Sequence, residues 1–154
     1  MINFKKICAI ASAIMSIGSI ASINASAVYS SSYSDTILQQ AQIEAKDKFE
    51  WFRNKANSII SDREYYRTRL DEIYALSLAN PAYSSRGEKA SLLNQINQNE
   101  IKEIRDMISR FAERLNSSWY STSSLNSLCD DLKRKRSIIQ DDFKKFKIDI
   151  SKVL

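Results

Sequence analysis

The segment that decides the fold is residues 35–79, which read DTILQQAQIEAKDKFEWFRNKANSIISDREYYRTRLDEIYALSLA. Its apolar side chains recur at intervals of mostly three and four residues: Leu38, Ala41, Ala45, Phe49, Phe52, Ala56, Ile59, Tyr66, Leu70 and Ile73. This spacing places them on one face of an α-helix and is typical of coiled-coil-like packing. Asp35 suits the N-cap position, and Asn80-Pro81 ends the helix because a residue before proline avoids helical angles.

One polar residue interrupts this apolar stripe. Arg63 occupies the position between Ile59 and Tyr66 where the spacing calls for an apolar side chain. Nearby, Ser61 and Glu64 have the spacing of a capping box, which marks the start of a helix. The sequence therefore predicts either one long first helix or two helices divided near Ser61.

Two further periodic segments follow, at about residues 88–116 and 123–152, with Gly87 just before the first of them. Asn97 and Lys135 each fill a polar slot in an otherwise apolar stripe. Since short connections make neighbouring helices antiparallel, we predict an all-α, antiparallel three-helix bundle with a long first helix, or four helices if the first one splits. The stripes are Leu93, Ile101, Ile104, Ile108, Phe111 and Leu115, and then Leu125, Leu128, Leu132, Ile139, Phe143, Phe146, Ile150 and Val153.

The N-terminus has the pattern of a secretory signal peptide. Lys5 and Lys6 precede an uncharged run rich in Ile, Ala and Ser, which ends in the small residues Ala25-Ser26-Ala27. We therefore predict cleavage of residues 1–27 and export to the medium or to an envelope space. Residues 28–34 are expected to be a flexible Ser/Tyr-rich terminus, and residues 35–154 a single helical domain. Cleavage leaves 21 of the 23 Lys and Arg against 18 Asp and Glu, a net charge of about +3.

Composition argues against an enzyme. The chain has no His, which removes the commonest general base and the commonest zinc ligand. Cys129 is the only cysteine left after cleavage, so no Cys/His or Ser/His/Asp site can form. Only two glycines are present, too few for a glycine-rich phosphate loop. We expect no catalytic residues, no metal and no cofactor.

Cys129 has two interpretations. It lies on the apolar stripe of the third segment beside Leu128 and Leu132, where a thiol acts as a small hydrophobic side chain. A disulfide between two copies of the chain is the alternative, since the mature chain holds no second cysteine.

Two sets of residues are candidates for contact with a partner. The aromatic set is Trp51, Tyr65, Trp119 and Tyr120, because rigid rings bury much area at little entropic cost. For Trp119 the alternative is a loop that folds the ring over the end of the core. The basic set is Lys133, Arg134, Lys135 and Arg136, a candidate contact for an anionic membrane or cell-wall polymer. Asp130 and Asp131 stand four residues before Arg134 and Lys135, which also fits a solvated face of local ion pairs.

These observations predict an exported, non-enzymatic helical-bundle protein that binds a protein partner or itself, with no nucleic acid expected. The size and helicity are similar to those of periplasmic holdase chaperones and of secreted three-helix binding modules, a likeness that unrelated chains share. One alternative is therefore an envelope holdase. The other is a membrane-surface protein that lays an amphipathic helix on lipid.

Overall fold

The computed structural model describes the backbone of residues 28–154 and the side chains from residue 33 onward. The predicted signal peptide lies outside the described residues. Within the described part, the chain forms α1 (Val28–Ala79), a short 3-10 turn (Pro81–Tyr83), α2 (Ser84–Ser117) and α3 (Thr122–Ser151). The predicted all-α bundle is confirmed, with α2 and α3 each packed mainly on α1 rather than on each other.

α1 is continuous through Ser61, so the predicted alternative of a split first helix is wrong. The helix also begins at Val28 rather than at Asp35. Its backbone thus includes the stretch 28–34, which the sequence analysis placed ahead of the helix. Extending an existing helix costs far less than nucleating one, so a few Ser and Tyr residues can be added to its start.

The other helix boundaries are set by local capping. The backbone of Asn80 is extended, and its side chain accepts a hydrogen bond from the Ala82 N–H at 3.1 Å. α1 therefore ends just before Asn80-Pro81, as the sequence predicted. Ser121 caps α3 by accepting from the Ser124 N–H at 3.3 Å. The two connections are short, and the helices therefore run antiparallel.

The predicted stripes form the core. Every predicted stripe position in α3 is buried, and Phe52 of α1 meets Phe111 of α2 edge to face, with ring centroids 5.0 Å apart. Tyr66 contacts both Phe143 and Phe146 of α3. The three helices therefore share one apolar core along most of their length.

α1 is longer than its partners, with 52 residues against 34 and 30. At 1.5 Å per residue it measures about 78 Å, whereas α2 and α3 measure about 51 and 45 Å. Among the α1 side chains that are described, from residue 33 onward, Leu38 is the first to pack against the core, and the Gln42 side chain reaches the connection between α2 and α3. The earlier turns of α1 therefore extend beyond the bundle, as expected for an undivided first helix.

Candidate functional site

The two predicted aromatic residues of α1 lie partly or largely in solvent. The Trp51 ring is 39% exposed and carries two cations, with the Arg136 guanidinium 3.8 Å and the Lys48 Nζ 4.5 Å from its centroid. Tyr65 is more exposed and touches Tyr66 edge to face. Four helical turns separate Trp51 from Tyr65, which puts them on one side of α1 about 21 Å apart.

The aromatic pair in the α2–α3 connection is divided between core and solvent. Trp119 is 7% exposed and belongs to the core, while Tyr120 is 81% exposed. The Gln42 Nε2 donates to the Trp119 carbonyl at 2.8 Å, which ties the connection to α1. This position matches the alternative interpretation, in which the loop folds Trp119 over the end of the core. Trp119 therefore has no accessible ring to offer a partner, and Tyr120 has one.

The four basic residues 133–136 have separate environments. Arg136 stacks on Trp51, and Arg134 pairs with Asp131 at 3.1 Å. The sequence predicted ion pairs between residues four positions apart, Asp130 with Arg134 and Asp131 with Lys135. The observed ion pair instead joins Asp131 to Arg134, three positions later. Asp131 also binds Arg114 of α2, and this hydrogen bond is the main cause that lowers the pKa of the carboxyl. Part of the basic run is thus engaged within the protein.

Lys133 borders a shallow cleft of about 440 Å³ between α1 and α3, together with Trp51, Cys129 and the charged residues Glu44, Asp47 and Lys48. Two acidic and two basic side chains line this cleft, Glu44 and Asp47 with Lys48 and Lys133. Such a mixed lining gives it no strong attraction for either sign of charge.

Cys129 lies at this cleft and packs against the core, as the first interpretation of the residue predicted. Burial raises the pKa of its thiol, and the nearby carboxylates of Glu44 and Asp130 act in the same direction. A thiol with a raised pKa holds less of the reactive thiolate at neutral pH.

Several exposed apolar side chains lie elsewhere, near the point where α1 ends and α2 begins. We call this group the apolar end, and it consists of Tyr74, Leu76, Leu78, Tyr83 and Leu154. Leu78 is 71% exposed and Leu76 is 65% exposed. Leu76, Tyr83 and Leu154 line one cleft, and exposed apolar side chains gathered in this way are typical of interaction sites. Tyr74 and Leu78 each stand two residues from Leu76, which puts them on the other side of α1.

A cleft of about 430 Å³ opens at the apolar end. Ile73, Leu76, Tyr83 and Leu154 provide its apolar lining, and charged side chains border it. The last residues of the chain close one side, because Arg86 donates to the carbonyl oxygens of Val153 at 2.5 Å and Leu154 at 2.6 Å. Helix ends held in this way form a stable frame for the cleft.

The apolar end was not predicted from the sequence. Leu76 lies three residues after Ile73 and continues the stripe of α1, whereas Leu78 stands outside the stripe, next to the Asn80-Pro81 stop. Apolar residues that leave the buried stripe just before a helix ends are the signal that would have indicated an exposed patch.

Among residues 28–154, no three His, Cys, Asp or Glu side chains gather as a metal site would require. None of the helices in this part of the chain has a stretch long and apolar enough to cross a membrane. Comparison of the chain with models of known protein families, with curated proteins and with solved structures gives no match.

Proposed function

We propose that this is an exported, non-enzymatic helical-bundle protein that binds a macromolecular partner through its apolar end. The observation that carries the proposal is the cleft at that end, which the exposed side chains of Leu76, Tyr83 and Leu154 line. Export rests on the signal-peptide pattern of residues 1–27. The lack of His and the single mature cysteine support a binding role over a catalytic one.

The apolar end has the features of an interface centre. Burying one Leu side chain that is otherwise exposed gains about 1.5–3 kcal/mol, so Leu76 and Leu78 together offer a substantial driving force. Tyr74 and Tyr83 add rings with few rotatable bonds, which lose little entropy when they are immobilised. The surrounding charged residues Arg69, Glu72 and Arg86 would form the polar rim that protein interfaces usually have.

The test compares two variants with the wild-type protein. Leu76→Ser with Leu78→Ser removes two apolar side chains from the apolar end. Ile43→Ser is the matched control, because Ile43 is also an exposed apolar residue of α1 and lies far from that end. Each protein is used as bait in the native cells, and the captured proteins are quantified by mass spectrometry.

We expect the double variant to lose at least one partner that the wild type and the Ile43 control both retain. All three proteins should show the same helical content by circular dichroism, since the changed side chains are exposed. A double variant that captures every partner at the wild-type level would refute the apolar end as the binding surface.

The same surface also favours a second candidate, an envelope holdase. Exposed Leu and Tyr side chains around a cleft can hold apolar segments of an unfolded client as well as one defined partner. A holdase would suppress aggregation of a heat-unfolded test enzyme at equal molar ratio, and the double variant would lose that effect. A protein with one defined partner would leave the aggregation unchanged.

A further inference from the structure

Arg63 and Asn97, which interrupt the stripes of α1 and α2, meet inside the bundle. The Arg63 Nη1 donates to the Asn97 Oδ1 at 3.1 Å, and the Asn97 Nδ2 donates to the Arg63 carbonyl oxygen at 2.8 Å. Arg63 is 1% exposed and Asn97 is fully buried. We call this pair the Arg63–Asn97 layer.

α3 completes the layer with aromatic rings. The Arg63 guanidinium lies 4.7 Å from the ring centroid of Phe146 and 5.4 Å from that of Phe143. A cation over ring faces is attracted by their negative potential, and the attraction is stronger away from water. Each helix therefore contributes to the same layer, and each contribution differs in chemistry from the others.

The layer is costly to bury. Desolvation lowers the pKa of Arg63, and the charges of Glu100 and Asp142 oppose that change only in part. Within the described part of the chain, the Arg63 Nε also finds no hydrogen-bond partner. Well-packed apolar residues in place of a buried charged group often leave a protein equally stable or more stable. Stability alone therefore does not explain why an Arg and an Asn occupy these positions.

We propose that the Arg63–Asn97 layer determines the register in which α1 and α2 pair, and so selects one bundle over competing arrangements. A long amphipathic helix such as α1 can pair with a similar stripe in several registers, one helical turn apart. A single buried polar position is known to specify register and oligomeric state in coiled coils, at some loss of stability.

The structure shows why a shifted register would be rejected. If α2 slid by one turn along α1, Asn97 would face the neighbourhood of Ile59 or of Tyr66 instead of Arg63. In either case the Asn97 amide would lose its two hydrogen bonds to Arg63. In the first case Arg63 would come close to Asn94, one turn before Asn97. However, Asn94 would then lose its hydrogen bond to Asp71, which measures 2.6 Å. A buried amide would therefore be left unpaired in the interior, which is unfavourable. The hydrogen bond from Asn94 to Asp71 is a second polar contact between α2 and α1 and favours the same register. The other buried residues along this face are mainly Ala, Ile, Phe and Leu, which discriminate less between registers.

The test uses the protein in the form isolated from cells and three variants: Arg63→Met, Asn97→Leu and the two changes combined. We expect each single change to lower the thermal midpoint by roughly 10 °C, because it leaves the other polar group unpaired. The combined change should recover the wild-type midpoint or exceed it. The combined variant should also show doubled or broadened amide resonances in NMR spectra, or species of higher mass in light scattering. The reason is that alternative registers of α1 and α2 become close in energy to the native one.

Glu64→Leu with Arg105→Met is the matched control. This pair also joins α1 to α2, at 3.1 Å, yet it lies at the surface. The control variant should keep one set of resonances and the wild-type mass.

The proposal is overturned if the combined variant shows one sharp set of resonances and the wild-type mass. It is also overturned if neither single change lowers the midpoint. If a single variant fails to fold, the combined variant and the control still decide the question.

Discussion

The close approach of α1 and α2 makes Gly87→Ala a destabilising substitution. Gly87 is buried in α2, and a Cβ at this position would overlap both the Oγ and the Cβ of Ser77 on α1. Rotating the Ser77 side chain moves only its Oγ, so the two helices would have to separate. Overpacking of this kind costs about 1–3 kcal/mol. Ala in place of Gly within a helix gains about 0.5–1 kcal/mol. We therefore expect a net loss of about 1–2 kcal/mol.

Thermal unfolding followed by circular dichroism measures the effect. A loss of this size lowers the midpoint by roughly 4–8 °C in a domain of this length. Ser85→Ala is the matched control, because Ser85 is exposed in the same helix, and its effect should stay within about 0.5 kcal/mol. Adding Ser77→Gly to Gly87→Ala should restore part of the loss, since it removes the overlapping atoms. If Gly87→Ala is as stable as the wild type or more stable, the argument from close approach is wrong.

Three further predictions concern the α2–α3 connection, the contact of Asp131 with Arg114 between α3 and α2, and Cys129 between α1 and α3. Trp119→Ala should lower the free energy of unfolding by about 3–5 kcal/mol in a urea titration, whereas Tyr120→Ala should change it by less than about 0.5 kcal/mol. Asp131→Asn should lower the thermal midpoint at pH 7. The pKa of this carboxyl is lowered in the folded state, so its ionised form stabilises the fold at pH values above 3.8, the ordinary pKa of the group. That difference should shrink as the pH falls through the folded-state pKa, and an equal difference at pH 2 would contradict the assignment to Arg114. The Cys129 thiol should react with iodoacetamide more slowly at pH 8 in the folded protein than in urea, as peptide mapping would show; equal rates would contradict its burial against the core.

The helical stripes were predictable because the packing of amphipathic helices is recorded directly in residue spacing. The positions from Leu125 to Ile150 in α3, and Val153 just after it, show this most clearly, since each predicted stripe residue there is buried. The end of α1 at Asn80-Pro81 was predictable for a local reason, the steric effect of proline on the residue before it. Gly87 was placed before the second helix, and its role inside α2 depends on a neighbour from another helix.

The polar interruptions could be located but not interpreted from the sequence. Arg63 suggested a break in the helix, because nothing in the spacing shows that Asn97 lies opposite it. Which residues of two helices contact each other depends on the register between the helices. The spacing of apolar residues does not determine that register. In the structure α1 is continuous through this position, and Arg63 has an amide acceptor and two ring faces within the core.

The candidate site was less predictable than the fold. Trp119 and Tyr120 are neighbours of similar character in the sequence, and only the path of the connection decides that one is buried and the other exposed. The apolar end depends on three chain segments meeting, the end of α1, the start of α2 and the residues after α3. No single stretch of sequence contains that arrangement.

Photo-crosslinking in the native cells tests the central claim, binding through the apolar end, most directly. A photoreactive amino acid is placed at position 76 in one protein and at position 120 in another, both highly exposed in the wild type. We predict a discrete crosslinked product from position 76 and none from position 120. A product from position 120 with none from position 76 would place the partner at the α2–α3 connection and contradict the account.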